Sequence, residues 1–342
     1  MVIELPISKS IANRLLILQA IHGDELMPVS DSMPDDVQIL HRALCLIASS
    51  PHCLIDVGNC GTAMRFLTAY AAQLKNKVTV LDGVERMRHR PIGQLVDALR
   101  EIGADIEYLG EEGFPPLRIK GCKLDKHRIV TLNNPQSTQF ISALLLIGVN
   151  VQTNSTSPYI YITKEVIKQY QLSPFSFHLT VEKDWSSAAF WYEYVALHGG
   201  EITLPGLFRD SLQGDKVVAD IFAHLGVHTI YTDEGIVISS SPLHPTPYTL
   251  HHDFVACPDL YPAVALTCER LGIELHATGT ESLPIKESDR LRAVREHRTD
   301  HDHRMAMALL IAGYEVDDTA CISKSYPQFM EQFHRINTLK VQ

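Results

Sequence analysis

The stretch at residues 91–120, PIGQLVDALREIGADIEYLGEEGFPPLRIK, decides the fold because it contains the pattern of one complete α/β unit. After Pro91, apolar residues recur at helical spacing, and Gly103 follows them as the left-handed residue that ends a helix. Residues 104–109 and 117–120 have the composition of strands, and a Glu-Glu-Gly turn separates them. The stretch therefore predicts a helix followed by a β-hairpin.

The same order returns at residues 217–240, VVADIFAHLGVHTIYTDEGIVISS, in the second half of the chain. Here the predicted helix ends at Gly226, and strands at 227–232 and 236–240 flank an Asp-Glu-Gly turn. A supersecondary unit that recurs in this way is typical of a repeat architecture. With one copy in each half, the sequence predicts an α/β protein of two related domains.

Two further copies begin and do not finish. A predicted helix at 163–170 leads almost directly into a predicted strand at 178–181. A second predicted helix starts near Asp289 and breaks off after Glu296, where residues 297–300 follow with no strand. Compared with the complete copies, roughly 25 residues are absent at each place. The alternative is that these two repeats are short by nature.

Composition excludes several classes of protein. The chain has 342 residues with 45% hydrophobic and 20% charged residues, which are ordinary globular values. Lys and Arg number 30 against 40 Asp and Glu, and this net charge of -10 argues against a nucleic-acid or anionic-membrane binder. The seven cysteines are scattered without a CxxC pair, so neither zinc nor disulfides are predicted. The start of the sequence has no apolar signal core and the longest apolar run, 143–149, is too short to cross a bilayer, so we expect a cytoplasmic protein.

Two stretches, one with serines and one with glycines, have the pattern of an anion-binding site at the start of a helix. In the first, Ser10 is the predicted N-cap and Lys9 and Arg14 flank the positive end of the helix dipole. In the second, a glycine loop precedes Thr62 as the predicted cap, with Arg65 one turn later. The alternatives are a capped helix with surface cations and a tight strand-to-helix turn.

Further cations lie near predicted helix starts, at Arg90, Arg290 and Arg304. Several such starts in an acidic protein indicate a substrate with more than one anionic group. Asp259 and Glu287 each lie in a short polar interruption between apolar segments and are candidate acid/base groups. Taken singly, each is more often a capping or surface residue.

A histidine-rich tract is the only candidate metal site that the sequence offers. It contains His297, Asp300, His301, Asp302 and His303. Its spacing does not match two histidines one turn apart on a helix, so no metal is predicted. His303 is instead a third acid/base candidate. Serine nucleophile chemistry has no support because no nucleophile elbow is present.

Six motifs occur in order along nearly the whole chain: S-K-S-x-x-N-R, G-N-x-G-T-A-M-R, R-P-I-G-x-L-V-D-A-L, S-x-Q-F-I-S-A-L-L, K-E-S-D-R-L and D-H-R-M-A-M. In these motifs the chain resembles the 5-enolpyruvylshikimate-3-phosphate synthase family of enolpyruvyl transferases. The resemblance implies transfer of the enolpyruvyl group of phosphoenolpyruvate to the 5-hydroxyl of shikimate 3-phosphate. The reaction passes through a tetrahedral intermediate, releases phosphate and belongs to the shikimate pathway to chorismate and aromatic amino acids. The resemblance also implies that the enzyme needs no cofactor and no metal.

The resemblance further implies the architecture. Members of the family consist of six βαβαββ units in two globular domains, an inside-out α/β barrel with a hinge. The expected domains are 8–182 and, discontinuously, 1–7 with 183–342, with the substrate cleft between them. We expect a monomer with these two small-molecule substrates and with neither nucleic acid nor membrane as partner.

Residue roles are carried over from the matching motif positions. The expected acid/base residues are Asp259, Glu287, Lys9 and His303. The residues expected to bind shikimate 3-phosphate are Ser10, Arg14, Ser137, Thr138, Gln139, Thr156, Ser282 and Lys286. The residues expected to bind phosphoenolpyruvate are Lys9, Asn59, Gly61, Arg90, Gln139, Arg290, Arg304 and Lys324. Gly61 is the glycine that glyphosate-sensitive members carry, so the resemblance implies inhibition by glyphosate in competition with phosphoenolpyruvate.

The chain departs from the family pattern at Cys60, Thr138, Thr156, Ser157, Tyr161 and Ser282. Most of these changes fall at expected shikimate-phosphate contacts and are expected to weaken them. Family members have roughly 400 residues or more, and the deficit falls at the two interrupted repeats. Either this sequence omits those residues or the chain has lost them. The first is expected, because loss of hairpins would expose the core of a packed unit.

Two alternatives to the active synthase remain. True deletions would favour a catalytically impaired scaffold of the same family. The related transferase that acts on a UDP-sugar uses a loop cysteine, and the S-K-S-x-x-N-R and K-E-S-D-R motifs favour the shikimate enzyme over it.

Overall fold

The computed structural model of the protein describes residues 1–172, 181–240 and 248–340. The chain folds into two compact units. One, here called the middle unit, contains Lys9–Ser30 and Asp36–Thr180. The other, the end unit, contains Met1–Ser8, Asp31–Asp35 and Val181–Gln342. Helices and several sheets alternate in both, which confirms the predicted α/β class.

The middle unit begins with two helices and then alternates strands and helices. Its elements are α1 (Lys9–His22), α2 (Asp35–Ser49), β1 (His52–Asp56), α3 (Gly61–Ala72), β2 (Val78–Asp82), α4 (Glu85–Arg88), α5 (Gly93–Glu101), β3 (Asp105–Tyr108), β4 (Leu117–Lys120), β5 (Ile129–Thr131), α6 (Thr138–Leu146), β6 (Asn150–Gln152) and α7 (Pro158–Leu172).

The repeat that the sequence predicted lies in the four-stranded sheet of the middle unit. Its order is β1-β2-β4-β3, with β1 and β2 parallel and β4 antiparallel to both of its neighbours, β2 and β3. Between α5 and β3 the chain turns at Gly103, whose φ of +98° an L side chain would adopt only under strain. The predicted helix, cap and hairpin are therefore confirmed. The helices α1, α3, α6 and α7 pack against one another.

The end unit has a similar make-up. Its elements are α8 (Trp185–His198), β7 (Glu201–Pro205), a 3-10 helix (Gly214–Val217), α9 (Val218–His224), β8 (Val227–Tyr231), β9 (Gly235–Ser240), β10 (Thr249–Asp253), a 3-10 helix (Pro258–Leu260), α10 (Tyr261–Leu271), β11 (Glu274–Thr278), a 3-10 helix (Leu283–Ile285), α11 (Arg290–Glu296), α12 (His303–Ile311), a 3-10 helix (Ala320–Lys324) and α13 (Phe329–Lys340).

The end unit contains the second complete repeat. Its sheet has the order β7-β9-β8, and the predicted hairpin is the antiparallel pair of β8 and β9. Val2 pairs with Thr203 of β7 in the parallel sense, so it occupies the place that β1 has in the middle unit. The helix α8 is buried from Trp185 to Val195 and packs on α9, α10 and α12, which makes it the centre of this core.

The two interrupted repeats have only a parallel strand pair among the described residues, β5–β6 and β10–β11. At the first, α7 starts at Pro158 and not at the predicted 163, because proline is well suited to the first turn of a helix. Most of the predicted strand at 178–181 lies outside the described residues. At the second, α11 runs to Glu296 and six residues without a strand join it to α12, as predicted. In the described part of the chain, no helix has both the length and the hydrophobicity needed to span a membrane.

Candidate active site

In the middle unit, the start of α3 brings two arginines to one glycine. A Cβ atom on Gly61 would lie 2.3 Å from Arg65 Nη1 and 2.8 Å from both Nη atoms of Arg90. Both arginine side chains are buried. Cys60, not Thr62, is the N-cap, since its sulfur accepts a hydrogen bond from the Ala63 amide; the predicted cap was wrong. Two guanidinium groups at a helix start form a site that favours an anion.

Other predicted residues surround this helix start. Arg90 Nη1 donates to the Asn59 carbonyl at 3.4 Å, and Gln139 Nε2 donates to the Thr62 hydroxyl at 2.9 Å. Ser137 is the N-cap of α6 and accepts from the Gln139 amide at 3.3 Å. The structure thus brings Asn59, Gly61, Arg90 and Gln139 to one place.

The helix α1 begins one residue earlier than the sequence predicted. Because Lys9 is its first residue, Ser10 lies in the first turn and is not the N-cap, which corrects the prediction. Lys9 Nζ forms an ion pair of 2.9 Å with Asp36, and both side chains are largely buried. This carboxylate fixes the position of the ammonium group at the start of the helix.

Arg14 is buried, so the alternative of a surface cation does not apply to it. Its Nε donates to the Thr163 hydroxyl at 2.7 Å, and its Nη2 donates to the Ser142 hydroxyl at 3.0 Å and the Tyr159 carbonyl at 3.1 Å. Its Nη1 donates to the Ser10 carbonyl at 2.7 Å. These acceptors are all neutral, and burial lowers the pKa of Arg14 to about 10.

In the end unit, Asp259 is held by three cations. Its Oδ1 lies 2.7 Å from Arg290 Nη1 and 3.4 Å from Lys286 Nζ, and its Oδ2 lies 2.9 Å from Arg304 Nη2. Burial acts to raise the pKa of Asp259, but the charges of Arg304, Lys286 and Arg290 outweigh it and hold the pKa well below its usual range. Asp259 is therefore ionised at neutral pH.

The second candidate carboxylate, Glu287, belongs to the same network. It contacts Arg290 at 3.0 Å and Lys324 at 2.9 Å. Arg290 is fully buried and touches both candidate acid/base groups. Burial acts to lower its pKa, but Asp302, Asp259 and Glu287 outweigh it and raise the pKa.

A third carboxylate, Asp302, supports the network from its buried side. It accepts from Arg290 Nε at 2.8 Å and from the Ser288 hydroxyl at 3.1 Å. It is also the N-cap of α12, where it accepts from the Arg304 amide at 2.9 Å. Counting these contacts, four cations (Lys286, Arg290, Arg304 and Lys324) face three carboxylates (Asp259, Glu287 and Asp302), so the cluster has an excess of positive charge.

The histidine-rich tract is dispersed in the structure. His297 contacts Glu269 and His301 contacts Asp318, both near the surface. His303 is buried in the first turn of α12, with Nδ1 3.8 Å from Asp302. In the parts of the chain that the structure describes, no group of three His, Cys, Asp or Glu side chains is placed to hold a metal ion.

The remaining predicted residues lie near the ends of helices. Thr138 begins α6, Thr156 is exposed before α7, and Ser282 is partly buried before a 3-10 helix. Of the departures from the family pattern, Ser157 is buried and accepts from the Tyr159 amide, whereas Tyr161 is 54% exposed.

Sequence reasoning did not identify Asp36 or the supporting role of Asp302. Both are carboxylates whose partners are distant in sequence: Lys9 lies 27 positions from Asp36, and Arg290 lies 12 positions from Asp302. No local sequence pattern predicts an ion pair between residues so far apart in the chain. The sequence analysis took the cations near helix starts as a sign of an anionic substrate, and although Asp302 begins the D-H-R-M-A-M motif, neither signal indicated these carboxylate partners.

Comparison with known proteins agrees with the motifs. The family model described as EPSP synthase (3-phosphoshikimate 1-carboxyvinyltransferase) matches residues 25–298 and 294–333. A 3-phosphoshikimate 1-carboxyvinyltransferase of Bacteroides fragilis is 38% identical, covering 97% of this chain and 94% of that protein. A 3-phosphoshikimate 1-carboxyvinyltransferase of Vibrio cholerae is 30% identical, and the alignment covers 98% of this chain and 96% of that protein. The fold is similar to that of EPSP synthase from Acinetobacter baumannii, with a TM-score of 0.69 at 19% identity over 98% of this chain and 95% of that one.

The alignments also locate the length deficit inside the chain. The alignment with the Bacteroides fragilis protein has 394 positions, 52 more than the 342 residues of this chain. That relative therefore contains internal residues without a counterpart here, in agreement with the interrupted repeats. Because the family model matches most of the chain and the identity extends over nearly all of it, the chain belongs to the EPSP synthase (3-phosphoshikimate 1-carboxyvinyltransferase) family.

Proposed function

We propose that this protein is a 3-phosphoshikimate 1-carboxyvinyltransferase, which transfers the enolpyruvyl group of phosphoenolpyruvate to the 5-hydroxyl of shikimate 3-phosphate and releases phosphate. The observation that carries the proposal is the cluster of Asp259 and Glu287 with four cations in the end unit. It combines two carboxylates for proton transfer with the positive charge that phosphate and carboxylate groups of the substrates require.

The ion pairs of the cluster suggest how a strongly ionised carboxylate becomes a base. In the absence of substrate, three cations hold the pKa of Asp259 far below the range of a useful base. Anionic groups of the substrates compete for Lys286, Arg290 and Arg304. As these cations turn towards the substrates, Asp259 loses their stabilisation and its affinity for a proton rises.

The proton steps then follow. Asp259 takes the proton of the 5-hydroxyl while that oxygen bonds to C2 of phosphoenolpyruvate, and Glu287 beside Lys324 delivers a proton to the C3 methylene. The product is the tetrahedral intermediate. Glu287 then takes a proton back from C3 as the C2–O bond to phosphate breaks, which restores the double bond and yields the enol ether. Asp259 gives the hydroxyl proton to the departing phosphate, so both carboxyl groups return to their starting states. Lys9 and His303 assist these transfers.

We propose that each substrate binds the residues that the family motifs assign to it. Shikimate 3-phosphate is assigned to Ser10, Arg14, Ser137, Thr138, Gln139, Thr156, Ser282 and Lys286. Phosphoenolpyruvate is assigned to Lys9, Asn59, Gly61, Arg90, Gln139, Arg290, Arg304 and Lys324. Support for the second set comes from the two arginines that meet at Gly61 and from the buried ion pairs of Arg290 and Arg304. Thr138, Thr156 and Ser282 are proposed on the motif positions alone.

The test is phosphate release from phosphoenolpyruvate by the purified chain. We expect release only when shikimate 3-phosphate is present, and inhibition by glyphosate that more phosphoenolpyruvate relieves. Asp259→Ala abolishes turnover while substrate binding persists, and Lys9→Met abolishes phosphate release. No release with shikimate 3-phosphate would contradict the proposal, and release with UDP-N-acetylglucosamine would replace it by the UDP-sugar reaction.

The remaining expectations concern the state in which the enzyme works. We propose a cytoplasmic monomer that needs no cofactor. Light scattering on the purified protein tests the monomer, and turnover that survives EDTA tests the independence from metal.

A further inference from the structure

Asp215 is a buried acid that the proposed mechanism does not use. It lies in the 3-10 helix Gly214–Val217 and is only 3% exposed. One carboxyl oxygen, Oδ2, accepts a hydrogen bond from the Ser186 hydroxyl. The other, Oδ1, has no hydrogen-bond partner among the described residues. Burying a half-satisfied carboxyl costs stability, so its retention needs a reason.

The surroundings of Asp215 connect it to the candidate active site. The 3-10 helix of Asp215 and the 3-10 helix Pro258–Leu260, which contains Asp259, both pack against α8. The charged groups that act on Asp215 are Asp259, Arg304 and Asp184. Asp184 is the N-cap of α8, where it accepts from the Ser187 amide at 2.8 Å. All of these residues belong to the end unit, so their arrangement does not depend on the middle unit.

The thiol of Cys257 is subject to the charges of the same carboxylates, Asp215 and Asp259. Burial, then the negative charges of Asp215, Asp253 and Asp259, raise the pKa of Cys257, so that it stays protonated at neutral pH. It adds no charge of its own. The charges that act on Asp215 are therefore those of two carboxylates and one guanidinium.

We propose that Asp215 is a positioning residue for the reaction: its own charge sets the proton affinity of the Asp259 base, because the two 3-10 helices that carry these residues pack against the same helix, α8. The inference rests on the proposed function, because it assigns Asp259 the role of base.

Burial, and then repulsion from Asp259, raise the pKa of Asp215 to about 7, against the opposing effects of Ser186 and Arg304. Asp215 is therefore neutral below about pH 7 and charged above it. Since the repulsion is mutual, charged Asp215 makes Asp259 bind a proton more strongly. A stronger base takes the hydroxyl proton faster, so we expect kcat to rise with pH through 7.

The experiment is the pH profile of kcat and kcat/KM from pH 5.5 to 9 for the wild type and three variants. Asp215→Asn keeps the shape and removes the charge. It should lower kcat about tenfold at pH 8 and less than about threefold at pH 6, which flattens the rise near pH 7. Ser186→Ala removes a hydrogen bond that favours the ionised form, so the rise should move to higher pH by roughly half a unit.

Ser187→Ala is the matched control. It lies on the same turn of α8, and its hydroxyl has no hydrogen-bond partner among the described residues. Its profile should coincide with that of the wild type. If Asp215→Asn lowers kcat equally at every pH, or if Ser186→Ala leaves the rise in place, Asp215 is only structural and the inference is wrong. If Asp215→Asn does not fold, Ser186→Ala decides alone. A wild type without turnover overturns the proposed function itself.

Discussion

At Gly61, the absence of a side chain determines where two guanidinium groups lie. A Cβ atom there would be 2.3 Å from Arg65 Nη1 and 2.8 Å from Arg90 Nη1, so Gly61→Ala forces both arginines to move. We expect KM for phosphoenolpyruvate to rise at least tenfold, about 1.4 kcal/mol of lost binding, with a smaller effect on kcat. Steady-state kinetics measures the separate changes in KM and kcat. An unchanged KM in Gly61→Ala contradicts this view of the site.

Thr163 tests whether Arg14 needs its hydrogen-bonded surroundings. The Thr163 hydroxyl accepts from Arg14 Nε at 2.7 Å and lies 2.8 Å from the Ser142 hydroxyl. Thr163→Val has nearly the same shape and removes these bonds, which leaves a buried donor without an acceptor. We expect KM for shikimate 3-phosphate to rise about tenfold and Thr163→Ser to restore it. A lower Tm with unchanged KM would assign Thr163 a structural role alone.

The connection between α11 and α12 lies in the second interrupted repeat, where a complete repeat has a hairpin. Within its six residues, His297, Asp300 and His301 all have positive φ, at 52°, 46° and 59°. The side chain of His301 contacts Asp318 at 2.6 Å, and this hydrogen bond raises the pKa of His301. The connection is thus held by contacts with residues that follow α12.

His301→Asn tests the charge of that contact, since asparagine tolerates a positive φ. Because the raised pKa of His301 belongs to the folded state, the pair contributes stability below pH 6.5 that is lost as pH rises through the folded pKa. We expect the variant to have a lower Tm than the wild type at pH 6 and the same Tm at pH 9. His301 is 83% exposed on its side chain, so the loss stays below about 1 kcal/mol. An equal loss at both values would show that the charge does not matter.

At this scale the sequence predicted repeats better than it predicted caps. The helix and hairpin of residues 91–120 were found because their period and their glycines are local signals. The caps at Ser10 and Thr62 were wrong, because a cap depends on which side chain reaches the free amide. At α3 the Cys60 sulfur does so. The backbone conformation at the helix start decides which side chain reaches the amide. That conformation depends on tertiary packing, which a local sequence pattern does not reveal.

Over the whole molecule, the sequence predicted the α/β class and named the four cations of the cluster together with Asp259 and Glu287, but it did not predict the ion pairs that join them. Local patterns at helix starts identify Arg290 and Arg304, and the resemblance adds Lys286 and Lys324. Their carboxylate partners come from elsewhere in the chain: Asp259 lies 31 positions from Arg290 and 45 from Arg304. Only the folded chain brings such groups together. The same holds for Asp215, whose proposed effect on Asp259 depends on the packing of both 3-10 helices against α8.

Glu193, in the central helix α8, is a buried carboxyl group that lowers the stability of the folded state. It is 0% exposed, and neither carboxyl oxygen has a hydrogen-bond partner among the described residues. Burial raises its pKa well above the usual value, so the folded state holds a proton that the unfolded chain releases near pH 4.5. Stability due to this group is complete below pH 4.5 and is lost as pH rises towards the folded pKa. The wild type should therefore become less stable from pH 5 to pH 8.

Glu193→Gln removes the ionisation and keeps the size of the side chain. We expect its urea midpoint to fall less between pH 5 and pH 8 than that of the wild type, so that the variant is the more stable of the two at pH 8. Glu193→Met also removes the buried polar atoms and should add about 1–3 kcal/mol at pH 8. Glu201→Gln, at an exposed glutamate, is the control and should follow the wild type. Parallel curves for the wild type and Glu193→Gln would mean that Glu193 does not titrate between the folded and unfolded states, and that the core around α8 tolerates the carboxyl in one protonation state throughout.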